Sequence, residues 1–132
     1  MFKKLIWNNQ DNTTSQGEYW ERIAQSYMEK QGAKLLASNF HSRFGEIDLI
    51  MQDKGAIAFV EVKYRRNANF GGAIHAVSTK KQQRIVKTAT FYLQKRKLNA
   101  YNTACRFDVV TIQGSQHAPN ITWLKNAFTG VQ

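Results

Sequence analysis

The sequence predicts one α/β domain, ordered helix, three consecutive strands, helix, strand and a short tail element. Apolar residues recur at helical spacing in two places, around Trp20 and around Ile85. Between them lie two β-rich segments, each interrupted by acids where a plain core strand carries none: Gly45-Glu46-Ile47-Asp48-Leu49-Ile50 and Phe59-Val60-Glu61-Val62-Lys63. A length of 132 residues supports one core, and no repeat, low-complexity tract or domain boundary interrupts it.

Residues 1–16 are expected to form a flexible lead-in, because the stretch from Asn8 to Gln16 is polar and poor in apolar side chains. Residues 17–132 form the domain. Trp20, Ile23, Ala24, Tyr27, Met28 and Gln31 follow helical spacing, and Gly32 is the stop. Lys34 to His41 reads as the first strand. Phe44 to Gln52 and Ala56 to Tyr64 read as the second and third, joined by a turn at Asp53-Lys54-Gly55. Arg65 to Gly72 is a loop carrying Gly71-Gly72. The second helix takes Ser78 or Thr79 as its cap and Ile85, Val86, Ala89, Tyr92 and Leu93 as its apolar stripe. Cys105 to Ile112 reads as a strand, and Ile121 to Leu124 as a short edge beyond Pro119.

The charge narrows the partners. Nineteen Lys and Arg face nine acids, a net charge of +10, which favours phosphate-rich partners or anionic surfaces and says nothing about fold. Cys105 is the only cysteine, so neither an intramolecular disulfide nor a Cys-based zinc cluster is available. No apolar run approaches the roughly 18–20 residues that span a bilayer. The start, Met1 to Trp7, lacks the apolar stretch of a signal peptide and is followed by Asn8-Asn9-Gln10. The expectation is a cytoplasmic protein without membrane contact.

Asp48 and Glu61 are 13 residues apart with a turn between them, so a hairpin can bring both carboxylates together. Glu61 and Lys63 differ by two and share a strand face. Two carboxylates beside an ammonium in an apolar sheet are expensive unless something binds there. Oxygen donors suit Mg²⁺ (or Mn²⁺), and a divalent ion polarises a phosphoryl oxygen and activates water for phosphodiester hydrolysis. Lys63 is placed to orient that water or to stabilise developing charge. Glu21 borders the Trp20/Ala24 stripe and can reach over the sheet edge as a third ligand. Glu18 complements the helix dipole. Glu46 is assigned either to the site's outer shell or to a pair with an arginine.

Lys80, Lys81, Gln82 and Arg84 near the start of the second helix, with Arg65 and Arg66 after Lys63, form the candidate nucleic-acid-binding set. Gln82 is also within reach of the catalytic lysine in this reading. Tyr64 and Phe70 are assigned to packing. Arg106 and Asp108 share a strand face and satisfy each other structurally. His41, His75 and His117 show no metal-ligand spacing, and no phosphate-loop, nucleophile-elbow or Cys–His pattern is present.

Together these residues resemble the YraN family of small uncharacterised bacterial proteins. The resemblance spans Gly17 to Ile112: the Glu21/Ala24/Tyr27 helix, the Asn39 region, the two acidic segments, Arg65, Phe70-Gly71, Lys81-Gln82 and Arg106-Phe107-Asp108-Val109-Val110. That family looks like a branch of the PD-(D/E)xK nuclease superfamily, near the archaeal-type Holliday-junction resolvases. The resemblance implies a restriction-endonuclease-like fold, a mixed central sheet flanked by helices in α-β-β-β-α-β order. It implies a metal-dependent endonuclease acting on DNA, with branched or damaged DNA as the substrate class, and a homodimer. It matches Asp48 to the superfamily aspartate, Glu61 to the second acid, Lys63 to the lysine and Glu21 to the helix glutamate. Ile47 stands where the name-giving proline would be, and Trp20 where a glycine often precedes the glutamate. The alternatives from other classes are a non-catalytic nucleic-acid-binding module with this fold and a protein-interaction factor.

Overall fold

A computed structural model describes residues 9–66 and 77–130. The loop expected at Arg65 to Gly72 therefore lies largely outside the described residues, with Phe70, the Gly71-Gly72 pair and His75. The elements run α1 (Asn9–Lys30), β1 (Lys34–Ser42), β2 (Gly45–Asp53), β3 (Ala56–Arg65), α2 (Thr79–Lys95), β4 (Cys105–Gln113) and β5 (Asn120–Phe128). This is the implied α-β-β-β-α-β order with a fifth strand added. Helix α1 starts at Asn9, so its first turns precede the apolar stripe that marks it in the sequence.

The five strands form one mixed sheet in the order β1-β2-β3-β4-β5. β1, β2 and β3 pair antiparallel, β3 and β4 pair parallel, and β5 returns antiparallel to β4. The parallel pair needs a crossover, and α2 supplies it. Lys54 and Gly55 both have positive φ (51° and 84°) between paired Asp53 and Ala56, so a tight two-residue turn sets the β2–β3 register.

Each helix covers one face. Trp20, Ala24 and Met28 of α1 pack on Leu49, Met51, Ala58, Val60, Val110 and Ile112. Ile85, Ala89, Tyr92 and Leu93 of α2 pack on Ile47, Ile50, Ile57, Phe59 and Val109. Of the expected stripes, Trp20, Ala24, Met28, Ile85, Ala89, Tyr92 and Leu93 are buried, Ile23, Tyr27 and Val86 are half buried, Gln31 is exposed, and Thr88 takes a fully buried place. Thr88 is tolerated there because its hydroxyl meets Ser42 Oγ at 3.1 Å. Ser78 caps α2 by accepting from the Lys81 N–H at 3.1 Å. Gly32 (φ 103°) ends α1, and the Ala33 N–H donates to Met28 O at 3.1 Å.

The last strand is nine residues long, not a short edge. Its ladder skips between Phe107 and Val109, and Asn126 (φ 59°) marks the irregularity on β5. The bulge breaks the alternation that would have announced a long strand.

Candidate active site

Asp48 sits where β2 leaves β3. The ladder pairs Leu49 with Val60 and continues toward the Asp53–Ala56 turn. On the other side of Leu49, Asp48 Oδ2 accepts the Val62 N–H at 2.8 Å, so a side-chain carboxylate does the work of a strand carbonyl. The face alternation also resets here. Ile47 packs under α2 and Leu49 under α1, although they differ by two. The sheet is thus opened at Asp48, and acids from both layers converge on it.

Glu21 arrives from α1. Burial, then the negative charge of Asp48, pushes its carboxyl up to about 7, while a hydrogen bond from Asn39 pulls the other way. Asn39 reaches it from β1, where it holds a positive φ of 50°. The carboxyls of Glu21 and Asp48 also meet each other, which raises Glu21 further. Asp48 is still raised above its usual value. Burial is the main cause, and the Val62 N–H and the Lys81 charge oppose it.

Glu61 arrives from the α2 side and is 5% exposed. Burial, then the Asp48 charge, pushes it up to about 7 against the pull of Lys81 and Lys63. Lys81 Nζ lies 3.3 Å from Glu61 Oε2, and Lys63 Nζ lies 3.9 Å from the same oxygen. The expected shared face of Glu61 and Lys63 is therefore present. Glu46 pairs with His41 at 3.3 Å, and its charge still raises both Glu21 and Asp48. The arginine partner expected for Glu46 is a histidine instead.

The expected phosphate contacts separate. Lys80 and Arg84 are exposed on α2, and α2 contains no acid. Lys81 also joins the acid cluster through Glu61. Gln82 is not directed at Lys63: its Nε2 donates to Val77 O at 3.0 Å and braces the entry to α2. Arg65 is half buried and Arg66 exposed at the end of β3. Trp20, adjacent to Glu21, is a core residue stacked on Tyr64 at 4.1 Å and 6°.

Sequence spacing could not find Asn39 as a partner of Glu21 or Lys81 as a partner of Glu61, since both contacts join distant elements. Asp53 was assigned only to the turn. It is 1% exposed and joins a second charged cluster, accepting from Arg106 at 2.8 Å and pairing with Lys125 at 3.1 Å. Asp108, fully buried, accepts from Arg106, from Trp123 Nε1 at 2.9 Å and from the Asn126 N–H at 2.9 Å. The structural pairing expected of Arg106 and Asp108 is present and wider than expected.

Among the described residues, no three or more His, Cys, Asp or Glu side chains are already drawn together tightly enough to enclose a metal. The donors near Asp48 are nonetheless the type a hard cation takes. Mg²⁺ needs one or two protein carboxylates and keeps several waters, so a closed cage is not required.

A mixed sheet between two helices, with acids and lysines converging where two strands part, defines a single-domain α/β protein of nuclease-like fold. The chain belongs to the uncharacterised protein family UPF0102, whose model matches residues 20–112. The UPF0102 protein of Colwellia psychrerythraea is 50% identical over 129 residues, covering 94% of this chain and 100% of that protein. Relatives in Aliivibrio fischeri and Nitrosococcus oceani are 44% and 46% identical, covering 89% and 85% of this chain and 94% and 90% of their own lengths. No described helix is long and apolar enough to cross a membrane.

Proposed function

We propose that this protein is a divalent-metal-dependent endonuclease that hydrolyses phosphodiester bonds in DNA, with branched or damaged DNA as its substrate and a homodimer as its working form. The observation that carries the reading is the convergence of Glu21, Asp48 and Glu61, with two of the three held up to about 7 in a protein of net charge +10. Clustered acids whose burial opposes ionisation are costly to maintain, and a bound cation relieves that cost. Mg²⁺ or Mn²⁺ would supply Lewis acidity and an activated water.

Asp48 and Glu61 would hold the ion, Asp48 kept in place by the Val62 N–H and Glu61 by Lys81. Glu21 would join them as a third ligand. Lys63, 3.9 Å from Glu61, donates to the attacking water or to the phosphoryl oxygen as charge develops there. Lys80, Arg84, Arg65 and Arg66 contact phosphates, which position a strand without reading its sequence.

The test is a cleavage panel of duplex, single-stranded, flapped and four-way DNA with Mg²⁺ or Mn²⁺. Metal-dependent cutting by the unmodified protein, abolished by Asp48→Ala, is expected. Failure to cut any of the four, or undiminished cutting by Asp48→Ala, overturns the reading. Binding to DNA with a steep salt dependence but no cutting would identify a non-catalytic binding module.

A further inference from the structure

A cavity of about 650 Å³ opens between α1, the end of β3 and the β4–β5 connection, within the size range of small-molecule sites. Trp20 and Tyr64 form a π-rich wall, and Arg66, Ser115, Gln116 and His117 line the rest with donors. The wall is built rather than loose. Tyr64 Oη donates to Gly114 O at 2.6 Å, and the Gly114 N–H donates to Arg65 O at 3.3 Å, so the β4–β5 connection is tied to the end of β3.

Among the described residues, the lining contains no carboxylate. Among the described residues, the ion pairs engage neither Arg66 nor His117. The cavity therefore presents a guanidinium, an imidazole, a hydroxyl and amides to whatever enters. A planar group suits the aromatic wall and an anion suits the rim. A guanidinium fork fits phosphate bidentately, and aromatic rings take bases of any sequence. Trp20 is adjacent to Glu21 in α1, and Tyr64 packs with Trp20 on the α1 face of the sheet, so the aromatic wall lies on the face from which Glu21 reaches Asp48.

We infer that this cavity binds a single unpaired nucleotide of a DNA strand, its phosphate at Arg66 and His117 and its base against the Tyr64–Trp20 wall. The inference rests on the nucleic-acid reading above and deepens it. A paired base has its edge and faces occupied by partner and stack, so the site selects frayed, flapped or branched DNA over intact duplex.

The experiment titrates dAMP, adenosine and inorganic phosphate into the full chain without divalent metal, by calorimetry and by NMR of the Trp20 indole and His117 ring. dAMP is expected to bind saturably, to shift both rings, and to bind about tenfold more tightly than adenosine or phosphate alone. Arg66→Ala should weaken dAMP about tenfold, while Lys34→Ala, on β1, should leave it unchanged. Both positions are exposed, so folding is not at stake. Shifts confined to α2 or to the acid cluster, equal affinity for phosphate and dAMP, or undiminished binding by Arg66→Ala would overturn the inference. dAMP binding here without cleavage of any DNA removes the nuclease reading and leaves the cavity assignment. Metal-dependent cleavage with dAMP shifts elsewhere removes the cavity assignment alone.

Discussion

Asp53 and Asp108 are as deeply buried as Glu61, yet the two regions treat their acids in opposite ways. Around Arg106, each carboxylate has partners that offset its desolvation. Burial acts to raise Asp53, but hydrogen bonds and charge from Arg106 and Lys125 hold it below its usual value. Asp108 receives the guanidinium, an indole N–H and a backbone N–H. Around Asp48, burial wins. Glu21 and Glu61 are pushed up to about 7 although Lys63 and Lys81 stand nearby. Two buried acids that share one guanidinium and several aligned donors make a structural joint. Three acids that repel one another beside two half-exposed lysines leave unmet negative charge, which is what a cation site needs.

The largest effect should come from cutting the closed network. Arg106→Met leaves Asp53 and Asp108 buried with only Lys125 as a nearby cation, and should cost about 3–5 kcal/mol in chemical denaturation. A loss below about 1 kcal/mol would mean the network does not hold β4 to its neighbours.

Asp48→Asn should behave in the opposite sense. It removes a repelling charge, so the melting temperature without metal should stay or rise while cleavage is lost. A clear fall in melting temperature with activity intact would make Asp48 a structural partner, like Asp108.

The pH dependence separates the two regions next. Glu61 and Glu21 bind protons more tightly folded (about 7) than at their ordinary value of 4.5. Between those values the folded state holds more protons than the unfolded one, so stability is greatest at the acid end and declines as pH rises to about 7. Glu61 should dominate, because Glu21 is partly exposed and water screens it. Asp53 has the reverse sign: its stabilisation is present above 3.8 and is lost as pH falls through its lowered value. Denaturation from pH 4.5 to 8 should show the decline without metal, and Asp48→Asn should shrink it. A flat profile would break the contrast.

The smallest effect on stability should come from Lys80→Ala with Arg84→Ala, within about 0.5 kcal/mol, since both are exposed. DNA affinity should nonetheless fall alike across sequences, with a salt slope flatter by about two, one for each cation. An unchanged slope would restrict phosphate contact to the other end of the sheet.

Much of this was legible beforehand. Period 3.6 around Trp20 and Ile85, and acids set in apolar runs at Asp48 and Glu61, depend on local chemistry, and the elements formed there. So did the shared face of Glu61 and Lys63, because alternation along one uninterrupted strand is geometric. Asp53 flanks the turn as its sequence context indicates, but its buried ion pairs cannot be read there because they form only when β4 and β5 arrive. Proximity in sequence groups Gln82 with Lys81 but does not reveal that one turns back to Val77 and the other crosses to Glu61. The length of β5 was hidden by the bulge at Asn126.

The sequence by itself determined the element order, the two buried helix faces, the basic charge and the identity of the acids. Those follow from periodicity and composition, which act over a few residues. Only the tertiary structure decided that Asp48 occupies a break in the sheet, that Glu21 and Asn39 meet it, and that Lys81 guards Glu61. It alone separated the acids left in excess from the acids fully paired. Desolvation and charge coupling depend on distances between residues far apart in the chain, and those distances exist only once the two layers close on the sheet.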